Sequence, residues 1–180
     1  MTTRLQKAAL LCYLTDRLVA NGSWCGETHI QKSTFFLQEE ADLPTEFEFI
    51  LYKHGPFSFD LRSELTSMRA DGLLLLEPQY PYGSSYATTE NGRELQKRFP
   101  KTIDRFRLRM EFIAQTLGPK NVAELEQLAT ALYMMRKHPN KSSDRIAAEI
   151  NEVKPHVSVP EAKRAVPQVE EIVAKLKALQ

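Results

Sequence analysis

The segment Ser58–Thr88, SFDLRSELTSMRADGLLLLEPQYPYGSSYAT, decides the fold class of this 180-residue chain. Ser58 is a favourable N-cap, and Leu61, Leu65 and Met68 follow it at the spacing of one helix face. An Asp-Gly stop, an apolar run, a turn rich in proline and glycine, and a second short run then predict a β-hairpin. A helix that leads directly into a hairpin is the order in which a winged helix-turn-helix presents its recognition helix and wing.

Helices are predicted on both sides of this segment. Upstream, the apolar stripe of residues 4–20 predicts one helix, and a T-x-x-Q capping box at Thr28 predicts the start of another. Residues 47–52 alternate as a strand does, and His54-Gly55-Pro56 is expected to end that strand. Downstream, Thr89 is predicted to cap a helix closed by Pro100, and further helices are predicted over 103–117, 121–137, 142–153 and 158–179, the last kinked or restarted by Pro167.

The predicted fold class is therefore mainly α with a small β-hairpin, that is, α+β. We expect a winged helix-turn-helix core in residues 1–100 and a helical C-terminal subdomain in residues 101–180, since a single core usually spans about 100 to 200 residues. A hydrophobic content of 42% with 26% charged residues is typical of an ordinary globular chain.

Compartment and redox state follow from the signals that the sequence lacks. No apolar stretch approaches the roughly 18 residues of a membrane span, and the first helix is too mixed for a signal peptide, so we expect a cytoplasmic protein without membrane association. Cys12 and Cys25 have no CxxC partner, and Cys12 lies in an apolar helix, which predicts two reduced structural thiols. One disulfide between them is the alternative.

Charge is distributed unevenly along the chain. Residues 1–100 carry 10 Lys/Arg and 13 Asp/Glu, whereas residues 101–180 carry 14 and 10, so a net charge of +1 hides a basic second half. Because nucleic-acid affinity rests largely on neutralising phosphates, an acidic first half weakens a DNA-binding interpretation of that half.

Several stretches resemble a known family. They are similar to the YwgA-like family of bacterial proteins and, more distantly, to the Panacea and SocA-like antitoxin-type domains. The most specific part of the resemblance is the Tyr-Lys-x-Gly-Pro-x-Ser run at residues 52–58. The stretches concerned are His29–Gln38, Phe47–Asp60, Leu128–Tyr133 and Lys154–Ser158.

Two further stretches, Met68–Leu73 and Tyr86–Leu95, resemble the segments that flank the wing of many bacterial winged-helix regulators. Together, the resemblances imply a regulatory or antitoxin-like fold without established catalytic residues. Likeness of fold does not establish function, so candidate site residues have to be argued from their chemistry.

Duplex DNA is one predicted partner. The outer face of the helix after Ser58 offers Arg62, Thr66 and Arg69, residue types that reach base edges and phosphates. Three acids in and just after that helix outnumber its two arginines, which weakens its attraction to a phosphate backbone. A second, more cationic candidate surface for phosphates is a run of basic residues further along the chain. It consists of Arg93, Lys97, Arg98, Lys101, Arg105, Arg107 and Arg109. The alternative is that this run is only a solvated helix face.

Another protein is the alternative partner, and a homodimer is compatible with either reading. Tyr80, Tyr82 and Tyr86 cluster in the predicted wing, and exposed tyrosines anchor interfaces because they bury a large area at little entropic cost. Rings that merely cover the core are the alternative. The amphipathic last helix is a second candidate surface for a protein partner.

An enzyme is not expected. The chain has no glycine-rich phosphate loop, nucleophile elbow or Cys-His pattern, and its histidines lack zinc-site spacing, so no catalytic residue, metal or cofactor is predicted. His54 is expected to hydrogen-bond the backbone of its turn, and His156 to position the last helix. The predicted function is a regulatory binding protein: a DNA-binding transcriptional regulator or, alternatively, a protein-interaction module of antitoxin-like or phage-defence type.

Overall fold

The computed structural model describes residues 2–80 and 83–179. Within them the chain is mainly helical with two small antiparallel hairpins, so the predicted α+β class is confirmed. The helices are α1 Arg4–Ala20, α2 Glu27–Glu40, α3 Phe59–Ala70, α4 Glu90–Arg98, α5 Pro100–Leu117, α6 Val122–Lys137, α7 Ser143–Val153 and α8 Val159–Ala178, and the strands are β1 Ile50–Tyr52, β2 Gly55–Phe57, β3 Leu74–Gln79 and β4 Gly83–Thr88.

The predicted helix-then-hairpin unit is present. The Ser58 hydroxyl accepts a hydrogen bond of 3.2 Å from the backbone N–H of Leu61, which fixes the start of α3. Strands β3 and β4 pair antiparallel, with Leu74 opposite Thr88, and α4 follows under the predicted Thr89 cap. The β3–β4 hairpin directly follows α3 along the chain, which is the order predicted for a recognition helix and its wing. The buried face of α3 consists of Leu61, Leu65 and Met68.

Polar caps fix other helix starts at their predicted residues. Asn121 and Ser158 each form a complete capping box with the glutamate three positions later, and Ser142 caps α7. A cap satisfies backbone N–H groups that the helix leaves free and typically contributes about 1 kcal/mol. These boundaries are therefore encoded locally.

Two predicted helix starts are wrong. Helix α2 begins at Glu27, so the predicted cap Thr28 already lies in its first turn, and the Gln31 side chain bonds elsewhere. Helix α5 begins at Pro100 rather than at residue 103, since a proline suits a first turn, where a backbone N–H has no helical acceptor. Of the two outcomes predicted for Pro167, a restart does not occur, because α8 continues through this residue.

The extended segment before α3 is half of a second hairpin. Residues 47–52 alternate in burial as predicted, but Gly55–Phe57 returns antiparallel as β2, so the predicted break is a tight turn. Gly55 adopts a φ of +80°, a left-handed conformation that favours glycine. A Cβ at Gly55 would lie 2.9 Å from Thr130 Oγ1, so this turn rests directly on α6.

A single buried apolar cluster joins the two halves of the chain. Helix α1 packs on α4, α5 and β4, while α6 packs on α2, α8 and β2. The proposed division at residue 100 stays a prediction, but the core is continuous across it. In residues 2–80 and 83–179, no helix is both long and apolar enough to cross a bilayer.

Both cysteines are buried and form no disulfide with each other, as predicted. Burial raises the pKa of the Cys12 thiol and that of the Cys25 thiol to about 12, and the nearby Asp16 carboxylate contributes in the same direction. A thiol that resists ionisation is a poor nucleophile, so these two residues act as packing groups.

Candidate functional site

The outer face of α3 presents Arg62, Thr66 and Arg69 to solvent, as predicted for a recognition helix. Arg62 is already engaged, because its Nε and Nη2 donate to the Glu27 carboxylate at 2.7 and 3.0 Å, and this hydrogen bonding raises the pKa of the guanidinium. The Thr66 hydroxyl donates to the Arg62 carbonyl at 3.0 Å. Arg69 forms no ion pair with any of the described residues.

The predicted basic run covers the end of α4 and the first turns of α5. Arg93, Lys97 and Arg107 each pair with an acid on their own helix at 2.5 to 3.6 Å, and Arg109 donates to two backbone carbonyls. Within the described part of the chain, four cations of this run form no ion pair within 4.0 Å: Arg98, Lys101, Arg105 and Arg109. Of these, Arg109 is held by its two carbonyl acceptors.

The three tyrosines predicted as a protein interface differ in exposure where the structure describes them. Tyr80 is fully exposed, and Tyr82 lies outside the described residues. Tyr86 is only 8% exposed, and burial raises the pKa of its phenol, so the alternative of a ring that covers the core is correct there. The apolar face of α8, which includes Val169 and Ile172, is buried in the core and is therefore not free to bind a partner.

A different exposed surface lies where the β1–β2 hairpin meets α3. The rings of Tyr52, Phe57 and Phe59 contact one another pairwise, with centroid separations of 5.1 to 5.9 Å in tilted or edge-to-face geometry. The Arg62 guanidinium lies 4.7 Å from the centroid of the Phe57 ring. These four residues are called the aromatic cluster below.

The aromatic cluster is both accessible and fixed in position. Tyr52 is 43% exposed and Phe59 is 47% exposed, so their rings are available to a partner. Glu27 holds Arg62 over the Phe57 ring through two hydrogen bonds. Side chains that are ordered before binding lose little entropy when a partner binds, so the entropic cost of binding at this surface would be small.

Helix α2 holds the inner side of the same hairpin. Lys32, which is 1% exposed, donates its Nζ to the Pro56 carbonyl at 2.7 Å. The Gln31 amide donates to the Ser58 carbonyl and accepts from the Ser58 N–H, both at 2.9 Å. Burial lowers the pKa of the Lys32 ammonium to about 8, although the nearby Glu126 carboxylate partly opposes this change.

The C-terminal half holds the turn from another direction. The Lys154 ammonium, at the C-cap of α7, donates to the backbone carbonyls of Tyr52 and Lys53. It also lies 3.5 Å from Oε1 of Glu126, a residue of α6. The side chains of Lys154 and Glu126 are 8% and 7% exposed, so this ion pair is buried.

Both histidines of this region face the same carboxylate. His156 Nε2 lies 3.1 Å from Glu126 Oε1, and His54 Nδ1 lies 3.4 Å from Glu126 Oε2. His54 therefore contacts a side chain of α6 and not the backbone of its turn, as had been expected. The His156 contact links the segment before α8 to α6, and its expected role in positioning the last helix stays a prediction. No cluster of three His, Cys, Asp or Glu residues suited to a metal ion occurs in residues 2–80 and 83–179.

Tyr52 and Phe57 of the aromatic cluster, and the turn that Lys154 contacts, lie in residues 52–58, where the predicted family resemblance is most specific. No protein-family model matches the chain, and a search of the curated proteins finds no match. The structure itself therefore carries the functional argument. Sequence reasoning missed the aromatic cluster, although an aromatic residue on each side of a Gly-Pro turn was the available signal.

Proposed function

We propose that this chain is a non-enzymatic, cytoplasmic regulatory protein that binds another protein through its aromatic cluster, on a winged-helix scaffold. The observation that carries the proposal is the pair of exposed rings, Tyr52 and Phe59, which contact the partly buried Phe57 ring with Arg62 fixed over it. Tyrosine and arginine dominate the residues that contribute most to protein interfaces. The antitoxin-like side of the family resemblance agrees with this choice, and the resemblance itself stays a prediction.

The charges of α3 also favour a protein partner over DNA. Arg62 is paired with Glu27, and Arg4 of α1 pairs with both Glu64 and Asp71. Among the described residues, Arg69 is the one α3 arginine without an ion pair, so this face offers phosphates a single unpaired cation. A partner surface with apolar side chains complements it better.

Replacing Tyr52 and Phe59 together by alanine is expected to weaken partner binding by about 100-fold or more, because central aromatic anchors each contribute about 2 kcal/mol or more. The partner is first recovered from the native host with wild-type protein as bait, then purified. Its affinity for wild-type and variant chains is measured by calorimetry.

The matched control is Leu108→Ala, which removes an apolar side chain that is 61% exposed on α5, away from the hairpin. This control is expected to bind as the wild type does. A partner that binds the double variant and the wild type equally would contradict the proposal, as would recovery of specific DNA without any protein.

Binding of duplex DNA is a second candidate, favoured by the absence of ion-pair partners for Arg98, Lys101 and Arg105 among the described residues. If these three cations contact phosphates, changing all three to alanine should reduce the slope of log affinity against log salt by about 2.7, at about 0.9 per contact. Fluorescence anisotropy with a random duplex, between about 50 mM and 200 mM salt, measures that slope.

The control for the DNA experiment removes the same charge from α8 through the alanine variants of Lys163, Lys175 and Lys177, and its slope should match the wild type. Absence of a complex between the wild type and any duplex, at low salt and micromolar protein, rules this candidate out. An identical slope for the two triple variants would assign no role to the α4–α5 cations.

A further inference from the structure

We propose that Lys154 and Glu126 are positioning residues, through which the C-terminal half of the chain holds the β1–β2 turn and therefore places Tyr52 in the aromatic cluster. The consequence for binding rests on the proposed function. The positioning itself does not, and it can be measured on the isolated protein.

Tyr52 connects the two sides of the hairpin. Its backbone carbonyl accepts a hydrogen bond from the Lys154 ammonium, while its ring contacts Phe57 and Phe59 at centroid separations of 5.9 and 5.4 Å. Strand β1 pairs with β2 over only three residues, Ile50 to Tyr52. A hairpin of this length has little stability of its own, so contacts from outside must define where its turn lies.

The charges around the turn make these contacts specific. Glu126 is the buried acid at the centre, and the cationic or titratable groups that face it are Lys154 after α7, His156 before α8, and His54 in the turn. Lys32 of α2 interacts with the same carboxylate and with Lys154 through space. An ammonium that lost Glu126 would be left buried without its counter-ion, which favours either local opening or loss of its proton.

Gly55 and Thr130 add a steric reason for the same placement. The backbone of the turn approaches α6 so closely that a Cβ at Gly55 would meet Thr130 Oγ1 at 2.9 Å and the Glu126 carbonyl oxygen at 3.4 Å. With the turn packed against α6 in this way, Lys154 donates hydrogen bonds to two successive carbonyls of the turn.

The test is hydrogen–deuterium exchange of the hairpin in Lys154→Met, a variant that keeps the length of the side chain and removes its donors. We expect the amides of residues 50–55 and 57 to exchange about tenfold faster or more, because their protection reflects local opening. Amides of α1 should keep their wild-type protection after correction for any change in global stability, measured by urea unfolding.

A double variant separates positioning from general stability. Lys154→Met combined with Glu126→Gln removes both charges, so global stability should recover toward the wild-type value while the hairpin still exchanges fast, because the carbonyls of Tyr52 and Lys53 still lack their donor. If Lys154→Met alone fails to fold, the same comparison is made on the double variant. Hairpin protection that returns together with global stability would overturn the proposal.

The matched control is Lys175→Met, which makes the same chemical change at an α8 lysine that is 58% exposed and paired with Glu171. Its hairpin should exchange as in the wild type, and equal exchange in Lys154→Met and Lys175→Met would also overturn the proposal. Absence of any protein partner would refute the proposed function without affecting this result, because exchange is measured on the chain alone.

Discussion

Replacing Gly92 by alanine is expected to lower the free energy of unfolding by about 3 kcal/mol, at the upper end of the overpacking range. Gly92 is the third residue of α4, and its added Cβ would lie 2.4 Å from the Leu73 carbonyl oxygen and 2.6 Å from Thr88 Cγ2. The Leu73 carbonyl cannot retreat easily, since it accepts hydrogen bonds from the Thr89 N–H and hydroxyl. Glycine at this position lets α4 pack against the base of the β3–β4 hairpin.

Urea unfolding monitored by circular dichroism measures this change, and the control is Asn91→Ala in the same turn. Asn91 is exposed, so its replacement by a better helix former should leave stability unchanged or raise it by a few tenths of a kcal/mol. In a helix without such a close contact, replacing glycine by alanine raises the free energy of unfolding by about 1 kcal/mol. A Gly92→Ala protein as stable as the wild type would therefore show that α4 does not depend on this close approach.

The parts of the fold that are encoded locally were predictable from the sequence. Four helices begin at a cap whose side-chain oxygen accepts a hydrogen bond from the backbone N–H three positions later: Ser58, Thr89, Asn121 and Ser158. A few neighbouring residues of the sequence are therefore enough to predict each of these starts. The order of α3 and the β3–β4 hairpin followed from the same kind of signal. The α2 boundary was not predictable in this way, because Gln31, which was expected to complete a local cap, bonds the distant Ser58.

The candidate site was not predictable in the same way, because its geometry depends on residues far apart in the chain. Lys32 and Lys154 are buried although lysine is among the residues least often found inside a protein, and the acceptors that explain their burial are backbone carbonyls of the hairpin. Helix α2 is buried on all sides over residues 29–37, so no amphipathic stripe marks Lys32 as exceptional. The wing tyrosines were chosen by residue type, and type alone does not separate buried Tyr86 from exposed Tyr52.

Lys32 is expected to make the chain more stable as the pH rises from 8 toward 10.5. Burial lowers the pKa of its ammonium from the ordinary 10.5 to about 8 in the folded state, so between these values the unfolded chain binds a proton that the folded chain has released. Stability rises with pH wherever the unfolded state binds more protons, by about 1.4 kcal/mol for each pH unit. The gain should be about 2 kcal/mol between pH 7.5 and 9.5 and about 3 kcal/mol in full.

The two cysteines act in the opposite direction over part of this range. Their folded pKa of about 12 exceeds the ordinary value of 9, so above pH 9 the unfolded thiols lose protons that the folded ones keep, and stability falls. The decisive quantity is therefore the difference between the wild type and Lys32→Met, which retains both cysteines and lacks the ammonium. Urea unfolding from pH 7.5 to 9.5 should show the wild type gaining on Lys32→Met by about 2 kcal/mol, whereas Lys175→Met should run parallel to the wild type. Parallel curves for all three proteins would mean that the Lys32 ammonium is as well solvated in the folded chain as in the unfolded one, which its 1% exposure and its single carbonyl acceptor at 2.7 Å argue against.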